Sequence, residues 1–450
     1  MALFIQAVTL TVLRWRLGRG WLRRPVSVLI VTEVVYSGLA ELILAIPSIR
    51  AEDTYRLGTG QPYIDRATLV MSTGLLALVL CYLAARPHRA AAWAAPGRAA
   101  LAARALNWRI CLLACVPFAV LTYQGRGYNS AVAAGAAGTT IELASEFFAV
   151  LVVLTAFAFL LRHGMRWFFP ALAAQSVVLA AAGERSPIVI AVVVLFVLLD
   201  CVSMRPSRRQ IGVTVALVVV VVLGLTGYRA VSGYEIYRQR SSLATRTSTI
   251  QDGLDALMHT SGAGGNPGVI AQAADRFDGN AFAGDVLQAM SFGRPALGAG
   301  PVWESMLVVV PSWVWPSKLD HTSLNPAQSE FNEFGIQPGL GVWAGPVPTF
   351  PGLYLGFLGP YWLIAFLAGL GLLFGYGERW LFRRFSVPRL VMVAAAVQAA
   401  LAYEGGWPAM LVILRTGLIL AAVVWAAEAA RNVVRHPAES LSGQIEGGSP

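Results

Sequence analysis

Apolar residues along this chain are gathered into long runs, not spread in the alternating or one-faced patterns of a water-soluble core. Continuous apolar length marks ten stretches, at 26–48, 68–85, 110–123, 142–161, 167–182, 188–202, 211–227, 352–376, 390–404 and 408–427. Runs of roughly 17–24 residues let a helix cross a hydrocarbon core. The pattern therefore predicts an all-α, polytopic membrane protein with about ten transmembrane helices. Between the seventh and eighth stretches lies 228–350, the one segment with the size and polarity of a domain. Helical pieces are expected there over 247–259, 267–277 and 281–291, broken by Gly262–Gly265 and Gly293–Gly300. Val302–Trp315 is apolar but too short to span and is interrupted by Pro311. It is expected to lie on or dip into the outer leaflet, anchored by Trp303, Trp313 and Trp315.

This divides the chain into an N-terminal cytoplasmic or interfacial piece (1–25), a seven-helix membrane region (26–227), a large helical extracytoplasmic loop (228–350), a three-helix membrane region (351–427) and a cytoplasmic tail (428–450). The tail beyond Gln444 is small and polar, so it is expected to be disordered. The first apolar stretch is followed by Arg14, Arg16, Arg19, Arg23 and Arg24, whereas a signal peptide carries its charges first, so no cleaved leader is expected.

Composition agrees: of 450 residues 56% are apolar and only 13% charged, against roughly a quarter charged in soluble proteins. The net charge of +10 would suggest a nucleic-acid partner, but its distribution removes that reading. With both termini cytoplasmic, the inside segments hold 21 arginines, and the short outer loops hold only Arg50, Arg56, Arg66, Arg126 and Arg185. That asymmetry orients helices during insertion. The 228–350 segment carries 7 basic and 10 acidic side chains, a balance unsuited to nucleic acid. Cys81, Cys111, Cys115 and Cys201 fall in or at the ends of apolar runs and form no disulfide framework or CxxC pair.

Ionisable groups at membrane depth are costly and default to functional candidates. Glu33 and Glu41 lie near mid-span and must pair or face a polar cavity. Glu142 and Glu146 share one face at the outer mouth of the fourth span, where a solvated helix end is the plain alternative. Arg415 sits about two turns inside the last span, placed to pair with a glutamate or to hold an anion. The turn Gly183-Glu184-Arg185-Ser186-Pro187 sets Arg185 at the membrane surface beside a helix start, which suits a lipid phosphate or an ordinary headgroup. Arg238 and Arg240 stand near the exit of the seventh span, and guanidinium groups make good diphosphate clamps. Arg276, within Asp275-Arg276-Phe277-Asp278, and Arg294 are further cations, open to reading as surface salt bridges. Lys318, the chain's only lysine, lies beside Asp320 and His321, so an anion binder and a base adjoin. There is no Walker loop, HExxH, GxSxG or strand-set GxGxxG, and the histidines are too few outside for a convincing metal site.

Three pieces of 175–375 resemble the O-antigen polymerase (Wzy-like) family: GERSP at 183–187, DRFDGNAFAGDVLQ…VWESMLVVVPSWVWPSKLD at 275–320, and PTFPGLYLGFLGPYW at 348–362. They are similar to that family's Gly-x-Arg turn, its Arg followed by an apolar helix ending in Pro…Trp-Pro-x-Lys, and its segment ending in Phe-x-Gly-x-x-Gly. Here the last reads Phe357-Leu358-Gly359-Pro360-Tyr361-Trp362, with the second glycine replaced. The resemblance implies a GT-C-like polysaccharide polymerase in the bacterial cytoplasmic membrane. It would join undecaprenyl-diphosphate-linked oligosaccharide repeat units on the extracytoplasmic side, with no metal or other cofactor. Its partners would be that lipid-linked substrate, membrane lipid and a chain-length regulator, not nucleic acid. Arg185, Arg238 and Arg240 would bind the diphosphate, supported by Lys318 and Arg276; His321 or Asp320 would be the base, with Glu142 or Glu146 second. O-antigen ligases and SEDS glycosyltransferases share the late outer loop. A lipid-linked-sugar flippase or transporter and a structural scaffold are the readings from other classes.

Overall fold

The computed structural model describes residues 1–46, 60–85, 106–124, 136–181, 186–218, 278–307, 309–310, 315, 349–402 and 406–445. All regular structure among these residues is helical. The helices are α1 (Ala2–Leu17), α2 (Pro25–Val34), α3 (Ala40–Leu44), α4 (Gln61–Ala85), α5 (Trp108–Gln124), α6 (Ala136–His163), α7 (Phe168–Ala181) and α8 (Ser186–Cys201). They continue with α9 (208–218), α10 (Gly279–Ser291), α11 (Gly300–Leu307), α12 (Phe350–Arg383), α13 (Val387–Leu401) and α14 (Gly406–Ile445). Every apolar stretch of the sequence carries a helix over its described residues. Among the described residues four segments are long and apolar enough to cross a membrane: Pro25–Leu44, Gln61–Ala85, Phe350–Arg383 and Met410–Ala430. Of the pieces expected in 228–350, 247–259 and 267–277 lie outside the described residues, and 281–291 is realised as α10. The short apolar helix at Val302 is realised as α11, while Trp313 lies outside the described residues.

The most extensive packing joins α4 to α12, and small residues set its closeness. Gly371 rests on the Leu78 backbone, and a Cβ on Gly375 would stand 2.7 Å from the Ala85 Cβ and 2.8 Å from the Tyr82 carbonyl oxygen. Lipid gives apolar helices little reason to associate, so close van der Waals approach of this kind supplies the attraction.

The helix ends that the arginine count assigns to one side meet at one end of the bundle. Arg23, before α2, holds Asp200 near the end of α8 through Nε and through Nη2 at 3.0 Å, and Arg205 reaches the same carboxylate at 3.2 Å. Arg24 lies 3.7 Å from Glu378 of α12 and over the Phe382 ring. Glu378 also accepts from the Tyr82 hydroxyl of α4 at 2.6 Å and from the Val26 N–H at 3.2 Å. The start of α2 is thus tied to the ends of α4 and α12 through a buried charge pair and to the end of α8 through a partly exposed one.

At 34 residues and about 1.5 Å per residue, α12 exceeds a hydrocarbon core of about 30 Å. A break at Gly359, with φ +74°, followed by Pro360, divides it. Pro360 has no N–H for the Gly356 carbonyl, and the turn at Gly359 removes the regular partner of Phe357. Both carbonyls are instead met by the chain after α10: Leu297 N–H donates to Gly356 at 3.1 Å and Gly298 N–H to Phe357 at 2.9 Å. This strap, 292–299, fixes the angle between the two parts of α12.

Candidate functional site

Around the start of α12, opposite the ion-paired end, α10 lies against α4 and α12. Its N-terminus is built by Asp278, fully buried, whose side chain accepts from the N–H groups of Asn280 and Ala281 at 3.2 Å each. Asp followed by Gly-Asn before an apolar run is an N-cap pattern. Glycines let the helix sink into the bundle. Gly279 presses on the Thr349 side chain, and a Cβ at Gly284 would stand 3.1 Å from the Ile64 Cα. Thr349 in turn caps α12 by accepting from Gly352 N–H at 3.2 Å. The far end of α10 is held by Gln288, which accepts from Gly60 N–H at 2.7 Å.

Asn280 links α10 to the helix that begins at Pro25. Its amide donates to the Ser37 carbonyl at 2.8 Å and to a Glu41 carboxylate oxygen at 2.9 Å. One face along, the Asp285 carboxyl is pushed up to about 7 by burial, with the nearby Asp278 charge adding to the effect. A carboxyl titrating near neutrality is matched to general-base work.

On the other side of the strap, an open groove of about 630 Å³ is lined by Ala296, Ala299, Phe357, Leu358, Trp362 and Phe366 among others. Its lining is apolar. Around it Tyr361, Trp362, Trp303 and Phe292 are exposed by two thirds or more, the disposition of aromatics at a membrane–water boundary.

Of the residues singled out from sequence, Arg185, Arg238, Arg240, Arg276, Lys318, Asp320 and His321 lie outside the described residues. Arg294 is on the strap, exposed, two residues before the groove-lining Ala296. Glu142 and Glu146 are on α6 and Arg415, half-buried, is on α14, and these two helices pack together. Asp278, Asn280, Asp285 and Thr349 escaped the sequence reading, which treated Asp275–Asp278 as a candidate surface network. The cap signal at 278–280 was the available clue.

Further in, Glu33 is fully buried and neither carboxylate oxygen makes a hydrogen bond among the described residues. No group of three or more His, Cys, Asp or Glu side chains suited to a metal ion occurs among the described residues. Comparison of the chain with family models, with curated proteins and with solved structures gives no match.

Proposed function

We propose that the protein is a polysaccharide polymerase of the cytoplasmic membrane, a ten-pass, GT-C-like glycosyltransferase working on its extracytoplasmic side. The acceptor hydroxyl attacks the anomeric carbon of a second, undecaprenyl-diphosphate-linked repeat unit. The new glycosidic bond forms as the bond to the diphosphate breaks, the hydroxyl proton passes to a base, and polyprenyl diphosphate leaves. Cations at the membrane surface stabilise the charge that develops on the leaving group. Arg185, Arg238 and Arg240 are the clamp in this reading, with Arg276, Arg294 and Lys318 supporting. The base is His321, Asp320, Glu142 or Glu146, joined now by Asp285.

One observation carries the reading. Two segments that resemble the polymerase family, 275–320 and 348–362, meet over their described residues, Gly279 pressing on Thr349 and the N–H groups of Leu297 and Gly298 donating to Gly356 and Phe357. Their junction adjoins an apolar groove suited to an isoprenoid tail and a strap bearing Arg294. The test is genetic. Deleting the gene should leave single repeat units on lipid, and a copy carrying Arg185→Ala should not restore polymer; wild-type chain lengths from that variant would contradict the clamp. Transport of a lipid-linked sugar is the second reading, favoured by Glu33 alone, since a buried carboxylate at mid-span is common in ion-coupled carriers. It predicts that deletion strands finished lipid-linked units on the cytoplasmic face.

A further inference from the structure

Near the middle of Pro25–Leu44 the regular helix gives way to a π-helical turn over Val35–Leu39. Such turns leave backbone groups out of register and recur at functional sites. Three elements converge on it. From α1, the Gln6 amide nitrogen donates to Ser37 Oγ at 2.9 Å and to Ser72 Oγ of α4 at 3.0 Å. From α10, the Asn280 amide donates to the Ser37 carbonyl and to Glu41. The Ser37 hydroxyl donates to the Glu33 carbonyl at 2.8 Å. Glu33, Gln6, Ser37, Ser72 and Asn280 are all buried, none more than 2% exposed.

Acceptors outnumber donors in this cluster. The amide hydrogens of Gln6 and Asn280 and the hydroxyl hydrogen of Ser37 are all used. Among the described residues, both Glu33 carboxylate oxygens, Gln6 Oε1 and Asn280 Oδ1 have no hydrogen-bond partner of normal geometry. The Ser72 hydroxyl can serve at most one of them. Gly38, lacking a side chain, leaves the space into which Gln6 Oε1 is turned. An ionised carboxylate in such a place is strongly disfavoured, and acceptor oxygens around it cannot offset that. A positive charge can.

We propose that Glu33, with Gln6 and Ser37 beside it, is the binding site of a small monovalent cation, either a hydron carried on the carboxyl or an alkali-metal ion held among these oxygens. Single charge follows from the ligands. Among the described residues Glu33 is the one carboxylate of this cluster without a hydrogen bond, whereas Glu41 accepts from the Asn280 amide. Hard cations of this kind take oxygen ligands. The charged groups on neighbouring elements do not replace it. Arg14 and Arg16 are in the last turn of α1, Arg389 is in the first turn of α13, Arg23 and Arg24 are paired with Asp200 and Glu378, and Asp278 caps α10. None of them bonds to Glu33.

The test is the thermal midpoint of the purified full chain in detergent, in sodium chloride and in choline chloride of equal strength, across acid to alkaline pH, for wild type and Glu33→Gln. A ligand that binds only the folded state raises the midpoint with the logarithm of its concentration. A sodium-dependent rise lost in Glu33→Gln identifies an alkali-metal ion. An acid-dependent rise in choline, lost in Glu33→Gln, identifies a hydron. A wild-type midpoint that differs from the variant's by the same amount in every condition overturns the proposal. Should Glu33→Gln fail to fold, labelling of wild-type Glu33 by dicyclohexylcarbodiimide, read by peptide mass spectrometry, takes its place. Labelling that acid promotes or sodium suppresses supports the site, and no label at Glu33 in any condition overturns it.

Discussion

Replacing Asp278 with alanine removes the acceptor that holds the N–H groups of Asn280 and Ala281, each at 3.2 Å. An exposed N-cap is worth about 1 kcal/mol. This one is fully buried, as are Gly279, Asn280 and Ala281, so water cannot take over the released donors. Each buried donor left unsatisfied costs about 1–3 kcal/mol, so the expected loss for the two is about 2–6 kcal/mol in the local stability of α10. Amide hydrogen exchange of 279–291 in detergent reads this directly, because protection there reports local opening. A loss of about 2 kcal/mol corresponds to roughly 30-fold faster exchange. Asp278→Asn keeps an acceptor oxygen in place and should change exchange only a few-fold, while lowering the titration of Asp285 by removing the neighbouring charge. Wild-type protection in Asp278→Ala, or equal damage from both variants, would refute the cap as the anchor of α10.

Asp285 supplies a pH dependence whose sign is fixed. Its carboxyl, ordinarily at 3.8, titrates at about 7 in the folded chain, so between those values the folded state keeps a proton that the opened state has lost. Protection of α10, corrected for intrinsic exchange, should be greatest below that window and fall through it as pH rises, and Asp285→Asn should flatten the profile. Gly375→Val should lower the thermal midpoint markedly, since overpacking costs about 1–3 kcal/mol and here it pushes on Tyr82 and Ala85; an unchanged midpoint would contradict the α4–α12 packing. Glu378→Leu should cost about 3–5 kcal/mol by stranding Arg24, and Arg24→Met in the same chain should restore the part due to the stranded charge, the Tyr82 hydroxyl and Val26 N–H still lacking their acceptor. A double variant as unstable as the single would contradict that pairing.

The helices were legible because membrane depth demands long apolar runs, and no tertiary knowledge is needed to see them. Apolar length alone also marks the break at Gly359 poorly, since glycine and proline interrupt the run without ending it. Gly371-Leu-Leu-Phe-Gly375 is a small-residue repeat that points to the α4–α12 contact. The polar cluster at Glu33 was legible only in part. Glu33 and Glu41 stood out by their depth, but Gln6 lies in a stretch read as a cytoplasmic or interfacial piece, and the structure packs that helix against α4 inside the bundle. Asn280 arrives from some 240 residues away, a contact that no local pattern encodes. Asp278 carried its cap signal openly, yet the alternating charges around it read equally well as a solvated network.

Glycosyl transfer itself is tested most directly by reconstitution. Lipid-linked repeat units extracted from a strain lacking the gene, which carry the right sugars whatever those are, would be added to the purified chain in liposomes. A polymerase gives a ladder of longer lipid-linked glycans with release of polyprenyl diphosphate. Repeat units that remain single, with no diphosphate carrier released, would contradict it.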